Sequence, residues 1–427
     1  MFQSGVLQSF QGDFCMKKKS TQSRTAVFDA VAAFNAGREP ERLAMKFAKM
    51  ARSPFVFLRG ACHMFYDALP DSPIFRAAPL AWCCGDAHFE NFGGYKGNNR
   101  QVYFDINDFD EAALAPSTWD MVRLLASIQC GADLLNATRA EALAVSMSCL
   151  KAYRCALIQG KPLWVERETS GGLVNDLLTD LRGRERAAFL DQRTIRRGRR
   201  RALNVDGVKT LPASDVQKHA VTVLMDRYGA TQSEAKFFKV LDIGCRIAGT
   251  GSLGLTRFVV LVEGKGSPDG NYLLEIKQCR PSALAPRLNL LGIRQPAWST
   301  EASRVATLQN RMQAVGHAFL HPVTISRLPC VLKELQPTED RVAIGNWGPK
   351  LARLESVVAA MGRVLAWDQL RASGRSGSCS ADELIAFAQG DAYMKRMMDA
   401  GLQMSEITRQ QWSSFTAQYA ASIGLAK

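Results

Sequence analysis

Residues 83–110 read CCGDAHFENFGGYKGNNRQVYFDINDFD, and no other stretch restricts the fold and chemistry of this chain as much. Asp86 and Asn91 stand five residues apart in a segment broken by Gly85, Gly93 and Gly94, which favours a loop over a continuous helix. A loop of that kind can turn both side chains inward. Val102, Tyr103 and Phe104 form a β-branched and aromatic run that reads as a strand and delivers Asn107, Asp108, Phe109 and Asp110 at its end. Acidic loops are usually solvated turns. Here Asp105, Asp108, Asp110 and Glu111 crowd together with Phe104, Ile106 and Phe109 interleaved, and like charges that close repel unless something positive joins them. Carboxylates and an amide gathered in this way suit Mg2+, which takes one or two carboxylates and fills its other positions with water and phosphate oxygens. That is phosphoryl-transfer chemistry in outline.

The string Gly85-Asp86-Ala87-His88-Phe89-Glu90-Asn91, the strand after it, Asp108-Phe109, Pro116 and Trp119-Asp120-Met121-Val122-Arg123-Leu124 resemble the catalytic core of aminoglycoside phosphotransferases and other kinase-like enzymes. Those enzymes carry H-G-D-x-H-x-x-N, then I-D-F, then a D-L-A helix start. From Ser53-Pro54-Phe55 through Phe57-Leu58-Arg59-Gly60 to Arg123, the chain more closely resembles the bacterial family called domain of unknown function 2252. Cys84 stands where the phosphotransferases have His, so a structural hydrogen bond must be made differently or not at all. The resemblance implies that Asp86 orients or deprotonates an acceptor hydroxyl. It further implies that Asn91 and Asp108 hold Mg2+, with Asp110 or Asp105 as candidates for a second ion, and that Asp120 braces the catalytic loop. Read from the residues alone, Asp120 is an N-terminal cap for an apolar helix, Met121 to Ile128. Arg59, flanked by apolar residues, needs an anionic partner when buried, a catalytic-loop carboxylate before a phosphate.

A nucleotide-gripping element is offered by Gly249-Thr250-Gly251-Ser252-Leu253-Gly254, a literal G-x-G-x-x-G. In a dinucleotide-binding unit a helix would follow, but Thr256 to Val262 is β-branched and aromatic and reads as a strand. Strand, glycine loop, strand is the kinase arrangement. The next strand, Tyr272-Leu273-Leu274-Glu275-Ile276-Lys277, ends on a lysine where kinases place their phosphate-pairing lysine. Gly249, Gly251, Ser252, Gly254 and Lys277 are therefore the candidate nucleotide contacts. The acid that holds Lys277 is left open between Glu301, near the start of a helical stretch Ala302 to Phe319, and Glu275, on the same strand face. Val331-Leu332-Lys333-Glu334-Leu335 before Pro337 reads as a strand and then a hinge, with Glu334 and Leu335 set to meet an adenine.

The expected fold class is α+β: a protein-kinase-like, two-lobed fold in circularly permuted order, with a helix-rich lobe and a smaller antiparallel β-sheet lobe. The expected organisation is an N-terminal extension (1–40), the catalytic and metal-loop part of the helical lobe (41–160), a basic helical insert (161–235), the glycine-loop lobe with hinge (236–345), and helices completing the helical lobe (346–427). Helices Leu351 to Arg371 and Ala381 to Ala421 would pack beside Arg42 to Leu69.

At 427 residues and ordinary composition the chain is long enough for two or three domains. It has no run of 18 apolar residues and no secretory stretch at its start, and its eleven cysteines show no C-x-x-C spacing, so reduced thiols in a cytoplasm are expected. Cys84 is the candidate for reactivity. Of the +14 net charge, six arginines fall in 193–201, RTIRRGRRR, between a stretch Leu173 to Leu190 and a segment Gln217 to Leu241 that both read as helix. Such a run is a solvated face or loop, or meets an anionic substrate, nucleic acid or an acidic partner; the lack of interleaved aromatics argues against base stacking. No membrane association is expected.

The reading that follows is an ATP- and Mg2+-dependent phosphotransferase acting on a small-molecule or protein hydroxyl. The alternatives are a non-catalytic or nucleotidyl-transferring kinase-like regulator and a metallophosphoesterase. Asp86-Ala87-His88 supplies the D-x-H of phosphoesterases, but five histidines in all and no G-N-H-E string fall short of their sites.

Overall fold

The computed structural model describes residues 25–423. Its fold is α+β, with every strand pair antiparallel. The larger apolar core is built around helix Thr118–Cys130, all of whose residues are buried. A helix enclosed on every side cannot show a one-sided apolar stripe, and its polar members must find partners inside. Helices Arg139–Gln159, Leu351–Ala372 and Tyr393–Ser422 pack around it. Arg139–Gln159 starts from a capping box between Thr138 and Glu141 and stops at Gly160, whose φ of +68° suits glycine. It lies so close to Leu351–Ala372 that a Cβ on Gly362 would come within 2.3 Å of the Cys149 carbonyl oxygen.

The C-terminal helix also packs on the N-terminal ones through Val31, Met50, Phe57, Met64 and Phe415. The expected helical stretch Ala381 to Ala421 is built as two helices, Ala381–Gln389 and Tyr393–Ser422, parted at Gly390.

The second core belongs to a six-stranded sheet. Its order is His321–Ile325, Leu328–Glu334, Tyr272–Gln278, Arg257–Val262, Val240–Arg246, Thr210–Pro212. Phe258, Val260, Leu274, Ile276 and Leu332 alternate onto the face covered by helix Asp215–Ala230. That helix ends eleven residues before Leu241, and the remainder turns into strand Val240–Arg246, which enters the glycine loop.

On the opposite face, Val259, Leu261 and Leu273 form a small apolar cluster with Leu190, Leu203 and Leu335. The half of that face nearer the first core carries charge instead: Arg257 pairs across from Lys277, and Glu275 across from Lys333.

Residues 161–235 divide between the two cores. Helix Gly172–Gly183 packs its Val174 and Leu178 on the first, and Asp215–Ala230 covers the sheet. The stretch Leu173 to Leu190 is two helices, Gly172–Gly183 and Arg186–Asp191. The arginine run is neither helix nor loop but a hairpin, Thr194–Arg197 with Arg200–Leu203, turning at Gly198. The helix expected from Ala302 to Phe319 stops at Met312.

Candidate active site between the sheet and the helical core

Gly85 opens the loop that carries Asp86, with φ +78°, and a Cβ there would lie 2.1 Å from the Glu111 carbonyl oxygen, so only glycine fits. The loop is fixed from below by Asp120, which accepts the backbone N–H groups of Cys84 (2.7 Å) and Gly85 (2.9 Å). Asp120 therefore braces the loop and is not a cap: Ser117 holds the N-cap position, and Asp120 lies one turn inside. Burial outweighs these two hydrogen bonds and lifts the Asp120 carboxyl to about 6. Tyr66 donates its hydroxyl to the Gly85 carbonyl at 2.7 Å, a contact that steadies the loop although Cys84 replaces histidine. Cys84 itself is buried, and burial pushes its thiol well up, so it is a packing residue and not a reactive one.

Asp86 faces the cleft while its carboxylate accepts from Arg123, through Nε at 3.0 Å and through Nη2. Arg123 has no exposed surface; Nη2 also donates to the Leu58 carbonyl, and the guanidinium lies over the Phe65 ring, 4.9 Å from its centroid. The sequence motif contained Arg123 but gave no sign of this role. His88 Nε2 lies 3.7 Å from Asp86, and burial, with Arg59 and Arg123 nearby, keeps the imidazole neutral. Arg59 finds the anticipated catalytic-loop carboxylate in Glu90, which also takes Arg341 at 3.1 Å.

Asn91 ties this loop to the acidic one, its Nδ2 donating to the carbonyl oxygens of Asp86 and Asp108, each at 3.2 Å. Lys277 reaches from the sheet to Asp108 (2.8 Å) and Asp110 (2.6 Å). Burial works against charge on Lys277 and on Asp108, but each is outweighed by the other: Lys277 is held above the usual lysine range, and Asp108 below the usual carboxylate range. Asp110 is pushed up, by burial first and by Asp108 next to it.

These pairs correct both expected partners of Lys277. Glu301 is held by Arg304, at 2.6 Å, and Glu275 by Arg246 and Arg257.

The glycine loop closes the cleft from the sheet side. Its carbonyls are bound from outside: Gly251 by Arg38 (2.6 Å) and by the buried Lys46 (2.8 Å), Leu253 by Arg38 (2.8 Å), and Ala248 by Arg257 (3.0 Å). Gly249, Gly251 and Ser252 line the cleft together with Arg59, Asp86, Asn91, Asp108, Asp110 and Lys277. The cavity is about 540 Å³.

Gly254, Glu301, Glu334 and Leu335 do not line it. Gly254 packs against the chain at Arg38 and Glu39. The amides of Glu334 and Leu335 donate to Ala318 and Leu273 carbonyls, each at 2.9 Å, so neither is free for a base; the wall instead presents Gln336 and Pro337. Asp105 is buried away from the cleft against Asp368. Sequence reading missed the cations Arg246, Arg257 and Lys333 on the cleft wall, although charged residues at every second place in an apolar strand, as in Glu275 and Lys277, signal a charged inner face.

Among the described residues no group of three or more His, Cys, Asp or Glu is placed to hold a metal ion. The donors present are fewer, two carboxylates and the Asn91 amide, whose Oδ1 accepts no hydrogen bond among the described residues. That set fits a cation such as Mg2+ that takes its remaining ligands from water and substrate phosphates.

DUF2252, a family described as "Uncharacterized protein conserved in bacteria", matches residues 38–423. The chain belongs to this family. The DUF2252 match takes in the loop of Asp86, the glycine loop and the C-terminal helix alike. No curated protein and no solved structure matches the chain.

Proposed function

We propose that this DUF2252 protein is an ATP- and Mg2+-dependent phosphotransferase with a kinase-like fold in circularly permuted order. The observation that carries the reading is the shared cleft: the glycine loop and Lys277 come from the sheet, Asp86 and Asp108 from the helical core, and all line one cavity. These parts are some 140 residues apart in the chain, in the reverse of the usual kinase order.

Asp86 is suited to accept the proton of a hydroxyl, being a cleft carboxylate fixed in place by Arg123. The acceptor oxygen would bond to the γ-phosphorus, the bond from that phosphorus to the β,γ-bridging oxygen would break, the proton would pass to Asp86, and ADP would leave. Lys277 and Lys333, with Arg257, provide positive charge for the donor phosphates. Mg2+ held by Asn91, Asp108 and Asp110 would neutralise charge on those phosphates. Lys277 now pairs with Asp108 and Asp110; with those carboxylates engaged by Mg2+, Lys277 would be free to pair with a donor phosphate.

The two-metal phosphoesterase alternative has no ligand cluster among the described residues to draw on.

The test is ATP turnover with acceptor or water. Asp86→Asn keeps the shape of the Arg123 contact but cannot take a proton, and kcat should fall by about 100-fold or more while Mg·ATP still binds. Unchanged turnover would remove Asp86 from the chemistry.

A further inference from the structure

The cations of the cleft differ in how they are matched. Arg246 and Arg257 share Glu275, Lys277 has Asp108 and Asp110, and Arg59 and Arg341 share Glu90. Among the described residues Arg38, Arg280 and Lys333 have no such counter-ion; the Lys333 Nζ donates to the Asn107 carbonyl at 3.4 Å. Arg38 donates to the Gly251 and Leu253 carbonyls, and its Nε is buried with no partner among the described residues. The Arg280 side chain makes no hydrogen bond or ion pair with any described residue, although it lines the cleft. Burial and the charge of Arg280 together pull the Arg38 guanidinium down to about 10. Two guanidinium groups that repel each other in a recess form a receptor for an anion.

Their place in the cleft is set by the backbone. Ser282, two residues beyond Arg280, donates to the Glu111 carbonyl at 2.8 Å, and that same carbonyl packs on Gly85, the neighbour of Asp86. Lys333 and Gln336 belong to the wall on the strand Leu328–Glu334 and the chain just after it. The Glu111 carboxylate accepts from the Ala283 N–H, three residues beyond Arg280.

We infer that Arg38 and Arg280 form an anion subsite at the Asp86 end of the cleft, which receives an oxyanion group, phosphate or carboxylate, carried by the acceptor. This rests on the phosphotransferase reading for the word acceptor, but the subsite itself can be tested separately. The full chain is titrated with inorganic phosphate while its thermal unfolding is followed, alone and with saturating Mg2+ and a non-hydrolysable ATP analogue. Malonate replaces phosphate in a parallel arm.

Phosphate or malonate should raise the unfolding temperature further in the presence of the analogue, and whichever does so identifies the oxyanion. Arg280→Ala should weaken that anion's apparent affinity by about tenfold or more, and Arg280→Lys should recover part of it, while the analogue's own shift persists. The subsite is overturned if neither anion adds a shift, if the analogue abolishes the anion's effect, or if Arg280→Ala leaves the affinity unchanged. If the analogue alone gives no shift but the anion's effect still depends on Arg280, the phosphotransferase reading fails and the subsite stands.

Discussion

The Asp86 carboxylate, proposed to orient an acceptor hydroxyl, is held by an arginine with no exposed surface. Replacing Arg123 leaves a largely buried carboxylate without its partner, so Arg123→Met should cost about 3 kcal/mol or more in urea unfolding. A loss under about 1 kcal/mol would mean that the pair is not structural. Asp105 and Asp368 present a different case, two buried carboxyls in contact, with Arg371 on Asp368 at 3.0 Å. Burial lifts Asp105 to about 6, so it binds its proton more tightly folded than unfolded, and its contribution declines as pH rises from the ordinary carboxylate range through about 6. Asp105→Asn supplies that proton permanently, and thermal unfolding between pH 4 and 7 should show a flatter pH dependence than wild type. Asp86, Asn91, Asp108 and Lys277 were singled out from their spacing, and the structure brings all four to one cleft. Glu301 misled because its own helix offers Arg304 three residues on, a partner closer than any on the sheet. The partner of Arg123 was not legible, since Asp86 lies 37 residues before it in the chain.

Elements were read best where pattern and punctuation agree. The three strands around the glycine loop and hinge were found within a few residues, because β-branched runs end at glycine or proline. The arginine hairpin was missed because its strands carry almost no apolar alternation: Thr194, Arg201 and Leu203 are buried, and Ile195, Arg196, Arg197, Arg199 and Arg200 are exposed. Arg201, with no exposed side-chain surface, is locked between Asp191 and Asp269, and Arg193 at the start of the run pairs with Glu339 at 3.2 Å. Arg197→Ala and Arg200→Ala should each change stability by less than about 0.5 kcal/mol, and Arg201→Ala should cost clearly more in the same denaturant titration. Helix packing gives a sharper test. Gly362→Ala places a methyl group against the backbone of Arg139–Gln159 and should destabilise by about 1–3 kcal/mol, despite alanine's better helix propensity.

At the scale of the molecule, the C-terminal helix lies on the N-terminal helices, and chain distance is no guide to the site. Sequence alone could propose two half-sites but not their distance apart, because the contacts that join them, among them Lys277 to Asp108, Arg38 to Gly251 and Ser282 to Glu111, are long-range and made by single side chains. The central claim is that residues from both halves grip one nucleotide. It is tested most directly by thermal unfolding with Mg2+ and millimolar ATP, where saturation to about 100 times Kd corresponds to about 2.7 kcal/mol of stabilisation. Wild type should shift upward, and Lys277→Ala from the sheet and Asp108→Ala from the helical core should each abolish the shift. A wild-type protein that does not shift, or a shift that survives both substitutions, would contradict the account.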